Sequence, residues 1–345
     1  MSFKLWSKFV LFTVASFFVL TASINYTINP YHIFEHSLFS SIIKTKNHSV
    51  SGRMSTFYIG KHTKPQSLIM GSSRIGMFSQ SIFEKYLGEK VYIMAMPGSN
   101  IEEQSEYLIY MINNYPIKNI VWGLDFFGFN PDLPKDPDFT YDRLSSSFMI
   151  NNDYKIALFS LQTTKNSFRT IIDNLKVKQK PVSIESIKKT SNKKYHSLST
   201  KEIRQRTNYQ ISNYKKKYLK VKTFNKPNTI DENLKRLKKV VDLCKQKDVK
   251  AYIYTSPVQK SFLDLYSKLN LDSTFKYWKT QLPYIIGYTD FNNYNSVTNK
   301  SSNFVDGTHI MPHYEKQIFA KVFHDNSIDI PNDFGRYFPK KSTKE

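Results

Sequence analysis

The chain has 345 residues, of which 40% are hydrophobic and 15% aromatic. This composition supplies a sizeable apolar core and excludes wholesale disorder. The length exceeds that of most single domains, but α/β folds with insertions reach it, so we expect one domain with an insertion. The lone cysteine, Cys244, excludes an internal disulfide, and no His/Cys group has the spacing of metal ligands. We therefore predict no metal site and no cofactor.

The first 28 residues predict a short cytoplasmic tip followed by a transmembrane signal anchor. Lys4 and Lys8 precede an uncharged apolar run from Phe9 to Ile24, at the lower edge of what crosses a ~30 Å hydrocarbon core as a helix. Because both lysines precede the run, the positive-inside rule leaves the N-terminus in the cytoplasm. We expect a single-pass protein of the cytoplasmic (inner) membrane with an extracytoplasmic domain. A signal peptide cleaved after Ala22 and a buried core helix are the alternatives.

Positive charge is concentrated in one segment. The chain carries a net charge of +22, and the segment from Lys176 to Lys226 holds 16 Lys or Arg and two Glu, hence +14 in 51 residues. Basic blocks interleaved with tyrosine are typical of nucleic-acid binding, but the predicted anchor argues against that partner. Outside the membrane, envelope glycans, other anionic polymers and lipid head groups are the partners that such a field attracts. A solvated surface without a specific partner is the alternative.

Beyond the anchor, short apolar runs alternate with amphipathic ones. They predict an α/β fold, a three-layer doubly wound parallel sheet, because parallel neighbours need crossover connections. We assign residues 64–330 to this domain, 128–228 to a helical basic insertion, 29–63 to a stalk and 331–345 to a polar tail. The five predicted strands lie at residues 67–73, 90–96, 117–127, 249–257 and 284–291.

Side chains suited to nucleophilic chemistry follow these strands, where ligands bind in doubly wound sheets. Ser73 follows the first strand, and Asp306 and His309 lie in a loop before the last helix. A serine nucleophile needs an imidazole to take its proton and a carboxylate to orient that imidazole. We predict this triad, with the backbones of Ser73 and Gly98 and the side chain of Asn100 as donors to the oxyanion.

Two charged residues are predicted at the same edge of the sheet. Arg74 follows the candidate nucleophile, and Asp125 stands at the end of the third strand. Two interpretations are open. Either they bind an anionic or carbonyl group of the substrate, or they form a structural ion pair with each other.

These motifs resemble the SGNH (GDSL-type) hydrolase superfamily. The resemblance rests on Gly71-Ser72-Ser73 after the first strand, Gly98 after the second, and Asp306-Gly307-Thr308-His309 before the final helix. It spans roughly residues 65 to 323, with the insertion unmatched. With an N-terminal anchor, the chain is more similar to the membrane-anchored extracytoplasmic branch. Those proteins include ones resembling D-alanyl-teichoic-acid transfer and alginate O-acetylation proteins, which work with membrane-bound O-acyltransferases on envelope glycans.

The resemblance implies that Ser73 is the nucleophile, His309 the general base and Asp306 its orienting partner. It implies an esterase or O-acyltransferase that moves an acetyl or similar acyl group on an envelope glycan, with a membrane-bound O-acyltransferase as a further partner. The chain departs from the family at Ser72, where Asp is usual, and at Asp125, where the family has an Asn. Because an ionised Asp cannot donate a hydrogen bond, a second hypothesis stays open: a catalytically degenerate domain that binds anionic glycan and scaffolds an acyltransferase.

Overall fold

The computed structural model describes residues 2–36, 52–88, 90–145, 150–176, 195, 197–220 and 222–342. A large part of the predicted basic segment therefore lies outside the described residues. The chain divides into two compact units. The first, which we call the helical unit, comprises Met1–His62 and Asp138–Ile187. The second, the sheet unit, comprises Thr63–Pro137 and Lys188–Glu345.

Helices and strands are numbered in chain order. The helices are α1 Phe3–Ile28, α2 Gly52–Thr63, α3 Gln80–Leu87, α4 Ile101–Asn114, α5 Ile150–Phe159, α6 Leu161–Lys176, α7 Thr200–Asn213, α8 Asp231–Gln246, α9 Lys260–Lys268, α10 Asp272–Ile285 and α11 Glu315–Val322. The strands are β1 Ser67–Gly71, β2 Val91–Ala95, β3 Asn119–Leu124, β4 Lys250–Thr255, β5 Tyr288–Asp290 and β6 Arg336–Phe338.

The sheet unit contains a six-stranded sheet in the order β2-β1-β3-β4-β5-β6. Strands β1 to β5 pair in parallel, whereas β6 runs antiparallel to β5. The predicted α/β fold is thus confirmed, whereas the sheet is mixed and mostly parallel rather than wholly parallel as predicted. The sixth strand lies within the segment predicted to be a polar tail, so that prediction is wrong for Arg336–Phe338. A strand of only three residues is too short for its period to be recognised in a sequence.

Both faces of the sheet are covered by helices, which explains why its central strands are continuously apolar. On one face, Ile69 of β1 and Val121 of β3 belong to a buried cluster with Phe319 of α11. On the other face, the indole of Trp122 donates a hydrogen bond of 2.6 Å to Gln104 of α4. Successive residues of β3 therefore pack against different helical layers.

The connections around β1 and β3 position the candidate site. Helix α3 begins after Ser79, whose side chain accepts the N–H of Ile82, and ends at Gly88 with a φ of +60°. Serine is a favoured residue before the first turn of a helix, and glycine is favoured where a helix ends in the left-handed conformation. Strand β2 follows β1 in the chain and pairs on one side of it, and β3 follows β2 and pairs on the other side of β1, so the direction of strand addition reverses at β1. A crevice forms at such a reversal, beyond the carboxyl ends of the strands.

The helical unit contains α1, which is the helix among the described residues that is long and apolar enough to cross a membrane. The segment predicted as a stalk is partly folded into this unit. Tyr31, Phe57 and Tyr58 are buried there, and the Tyr58 hydroxyl bonds to Asp153 of α5 at 3.1 Å. Large aromatic side chains bury enough area to hold such a segment against its neighbours.

Candidate active site

Ser73 stands in the loop that leaves β1, at the edge of the sheet where the strands end. Gly71, the last residue of β1, is fully enclosed, and a Cβ at this position would meet the carbonyl oxygen of Gly123 at 3.2 Å. The close approach of two backbones thus favours glycine there. A short 3₁₀ turn at Ile75–Met77 follows, and the Gly76 N–H donates to the Ser73 carbonyl. This turn leaves the Ser73 side chain half-buried and open to solvent.

The structure brings Ser73, His309 and Asp306 together. Ser73 Oγ lies 2.9 Å from His309 Nε2. His309 Nδ1 lies 2.9 Å and 3.0 Å from the two carboxylate oxygens of Asp306. With the Nδ1–H donated to the carboxylate, Nε2 is left as the acceptor for the serine hydroxyl proton. This is the hydrogen-bonded order that a serine nucleophile needs.

Asp306 is held ionised by its surroundings. Burial alone would raise the pKa of this carboxyl, but the imidazole of His309 and the backbone N–H groups of Thr308 and His309 outweigh burial, so the pKa is lowered to about 2. Those two N–H groups donate to one carboxylate oxygen at 2.8 Å and 2.9 Å. Asp306 therefore stays negative at neutral pH and can stabilise a positive imidazolium beside it.

Arg74 and Asp125 are bonded to each other beneath the surface. The Arg74 Nη1 donates to Asp125 Oδ1 at 2.7 Å, and their side chains are only 5% and 1% exposed. Arg74 Nη2 also donates to the hydroxyl of Tyr214 at 3.3 Å. Burial alone would lower the pKa of Arg74, but the Asp125 carboxylate raises it above its usual value. Of the two interpretations from the sequence, this geometry favours the structural ion pair.

The predicted oxyanion donors differ in whether they are already hydrogen-bonded within the described residues. Gly98 has a φ of +66°, which glycine adopts readily. Neither its N–H nor that of Ser73 donates a hydrogen bond within the described part of the chain. The Asn100 side chain instead caps α4 by accepting the Glu103 N–H, and it donates to the Leu133 carbonyl at 3.1 Å. These two bonds hold the Asn100 amide in a structural role.

Sequence reasoning missed two tyrosines at this edge. The π-helical turn Tyr214–Tyr218 follows α7, and its two tyrosine rings lie 4.8 Å apart. Tyr218 packs against Phe127 at 5.2 Å, and its hydroxyl lies 2.7 Å from the position that a Cβ would take on Gly98. The side-chain amide of Asn130 donates to the Tyr218 carbonyl at 2.9 Å. The signal in the sequence was the interleaving of tyrosine with lysine.

The chain matches no known protein-family model, and no curated protein is detectably similar to it. Among the residues that the structure describes, no group of three or more His, Cys, Asp or Glu side chains is placed to hold a metal ion. At the edge of the sheet, the serine, the imidazole and the carboxylate form a connected set of reactive side chains.

We expect Gly98→Ala to destabilise the protein more than Gly88→Ala. Both glycines have φ near +60°, which costs roughly 1–2 kcal/mol for a residue with a Cβ. A Cβ on Gly88 meets nothing within 4 Å, whereas one on Gly98 meets the Tyr218 hydroxyl. Urea unfolding of the detergent-solubilised protein measures both losses. When Tyr218 is replaced by Phe, the loss of unfolding free energy caused by Gly98→Ala should become smaller, and the loss caused by Gly88→Ala should stay the same. If Gly98→Ala costs the same free energy with Tyr218 and with Tyr218→Phe, the contact is contradicted.

We expect the advantage of the wild type over Asp306→Asn in free energy of unfolding to depend on pH. The pKa of Asp306 is lowered from 3.8 to about 2 on folding. Ionised Asp306 thus contributes stability that is complete above about pH 4 and is lost as the pH falls towards 2. At 1.36 kcal/mol per unit this amounts to about 2 kcal/mol. The free energies of unfolding of the wild type and of Asp306→Asn should approach each other as the pH falls from about 4 to 2. A difference between them that does not change with pH would refute the lowered pKa of Asp306.

Proposed function

We propose that the protein is a membrane-anchored, extracytoplasmic serine esterase or O-acyltransferase of the SGNH type. The observation that carries the proposal is the continuous hydrogen-bonded chain from Ser73 through His309 to Asp306. The strand order β2-β1-β3-β4-β5 supports it, because it is the order of flavodoxin-like doubly wound sheets. The proposed substrates are acetyl or similar acyl groups on a cell-envelope glycan.

The reaction follows from the geometry of the three side chains. His309 Nε2 takes the proton of Ser73 as Oγ attacks the acyl carbonyl, and Asp306 stabilises the imidazolium that forms. When the tetrahedral intermediate collapses, His309 returns this proton to the departing alkoxide, leaving an acyl-serine. Water or a sugar hydroxyl then attacks the acyl-serine, with His309 again as the base. When this second tetrahedral intermediate collapses, the bond between the acyl carbon and Ser73 Oγ breaks, and His309 returns the proton to Ser73 Oγ. Water gives hydrolysis and a sugar hydroxyl gives transfer.

We propose three donors for the oxyanion of the tetrahedral intermediate. The backbone N–H groups of Ser73 and Gly98 are two of them. The third is the hydroxyl of Tyr218, which stands beside Gly98 and takes the place of the family's Asn. Asp125 cannot serve in that place, because it is an acceptor already bonded to Arg74. A donor aimed at the developing negative charge is one of the larger contributions to catalysis of acyl transfer.

The turn that carries Tyr218 also carries positive charge. Lys215, Lys216 and Lys217 are all exposed on the turn between Tyr214 and Tyr218. Their field would raise the local concentration of an anionic polymer next to the site. This placement supports an anionic envelope glycan as the substrate. The apolar helix α1, preceded by Lys4 and Lys8, supports an anchored protein whose remaining chain is extracytoplasmic.

Hydrolysis of a chromogenic acetyl ester tests the triad. We expect Ser73→Ala and His309→Ala each to lower kcat by about 10³-fold or more, because the members of a triad act as a unit. Ser81→Ala, an exposed serine of α3, is the matched control and should retain full activity. A fluorophosphonate probe should label the wild type and the control but not Ser73→Ala. Equal rates of ester hydrolysis in the wild type, Ser73→Ala and His309→Ala would contradict the proposal.

The degenerate glycan-binding domain is favoured if the wild type turns over no ester and is not labelled. Its basis is the loss of the family's Asn at Asp125. In that case, binding of an anionic glycan should survive Ser73→Ala and be lost when Lys215, Lys216 and Lys217 are all changed to Gln. If the ester is hydrolysed, this second hypothesis is excluded.

Removal of the Tyr218 hydroxyl should impair the chemical step selectively. We expect Tyr218→Phe to lower kcat by about 10²-fold with little change in KM, as for the loss of one oxyanion donor. The ring and its packing on Phe127 remain, so the melting temperature should be unchanged. Tyr209→Phe, an exposed tyrosine of α7, is the control. Unaltered kcat in Tyr218→Phe would remove Tyr218 from the mechanism without affecting the triad.

A further inference from the structure

Helix α6 of the helical unit has the reverse of the polarity expected for a helix at a protein–water surface, since it buries polar side chains and exposes apolar ones. Its buried face is polar: Thr163, Asn166, Ser167 and Thr170 are all at most 1% exposed. Its opposite face is apolar and exposed, with exposed fractions of 85% for Leu161, 50% for Phe168, 49% for Ile172 and 76% for Leu175. These four follow one another at spacings that place them on a single stripe. A contiguous exposed apolar stripe marks an interaction surface.

The polar face of α6 is buried against the end of α1. Asn25 of α1 donates to the Thr164 hydroxyl at 3.0 Å and accepts from the Ser167 hydroxyl at 2.8 Å. Asn166 donates to the hydroxyl of Tyr31 at 2.7 Å. Hydrogen bonds between Asn, Ser and Thr are a common way for helices to associate where lipid surrounds them, because lipid offers these groups no alternative partners.

The same contacts fix the level of α6 relative to the apolar part of α1. Phe159, at the end of α5, packs edge-to-face on Phe18 of α1 at 6.0 Å. Phe18 precedes Asn25 by ~10 Å along the helix axis. Phe18 lies within the uncharged run from Phe9 to Ile24, whose side chains are mostly exposed. The junction of α5 and α6 therefore lies at the level of the apolar run, and α6 begins there with Leu161.

Basic side chains flank the apolar stripe. Lys165 and Arg169 follow Leu161 at intervals of four residues and are exposed along one border of the stripe. In a helix at a bilayer surface, such side chains extend their charges to the lipid phosphates while their stems lie along the acyl chains. A groove for another protein does not call for this combination of a bare apolar stripe and a basic border.

We propose that the outer face of α6 lies in the membrane interface, continuous with the span formed by α1. The stripe from Leu161 to Leu175 enters the upper acyl region, and Lys165 and Arg169 lie at the phosphates of anionic lipids. The helical unit is then held to the bilayer by two elements rather than by one. This proposal is independent of the catalytic activity, since every residue it uses lies outside the sheet unit.

Depth-dependent fluorescence quenching tests the proposal on the full-length protein in phosphatidylcholine–phosphatidylglycerol vesicles. Single cysteines at Phe168 and Ile172 carry an environment-sensitive dye, and Asp173→Cys, the next residue and off the stripe, is the matched control. The native Cys244 is buried, which raises the pKa of its thiol to about 12, so it should not react. Unsubstituted protein carried through the labelling checks this. Val14→Cys in α1 reports insertion of the span.

We expect the dyes at 168 and 172 to be blue-shifted and strongly quenched by doxyl groups placed high on the acyl chains, because interfacial helices enter ~5–10 Å below the headgroups. The dye at 173 should be quenched much less. Three results would overturn the proposal: no quenching at 168 and 172 when Val14 is quenched, equal quenching at 172 and 173, or no quenching at Val14. The first of these would assign the stripe to a protein partner absent from pure lipid.

Discussion

The imidazole of His309 is hydrogen-bonded on both sides, and the candidate site depends on this double contact. One nitrogen faces Ser73 and the other faces Asp306. The first bond joins the loop after β1 to the loop before α11, two segments far apart in the chain. The second selects the tautomer that leaves Nε2 as an acceptor. Without the carboxylate, either nitrogen could carry the proton, and the serine would lose a defined base.

The site also contains a buried ion pair between Arg74 and Asp125. Arg74 and Asp125 are both buried, and two charges removed from water need close mutual contact to offset the cost of desolvation. Within this pair Asp125 is an acceptor bonded to Arg74, so it cannot donate a hydrogen bond to an oxyanion. The aromatic turn at Tyr214–Tyr218 covers the pair and brings the Tyr218 hydroxyl to Gly98. A π-helical turn is uncommon in proteins and is frequent at functional sites.

The helical unit differs from the sheet unit in the large apolar side chains that two of its helices expose. In water, a helix buries its apolar side and exposes its polar side. Helix α6 does the reverse, and its buried hydroxyl and amide groups find partners at the end of α1. The large exposed side chains of both α1 and α6 are apolar. The proposed contact with a bilayer explains the exposed apolar side chains of both helices.

Much of the sheet unit was predictable from local patterns. The apolar runs located β1 to β5, and Ser79 and Gly88 marked the ends of α3, because strand burial and helix capping are short-range properties. The strand β6 was beyond such reasoning, since three residues carry no recognisable period. The triad residues were also predictable as candidates, because each stands just after a strand or just before a helix.

The sequence by itself determined the apolar N-terminal helix, the alternation of strands and helices and the candidate serine, histidine and aspartate. Only the tertiary structure decided that the Ser73 hydroxyl lies within hydrogen-bond distance of His309, that Arg74 pairs with Asp125, and that Tyr218 reaches Gly98. These contacts join residues far apart in the chain, and their distances depend on how loops close over the sheet edge. Local periodicity contains no information about such closures, whereas burial and hydrogen bonding in the folded chain fix them.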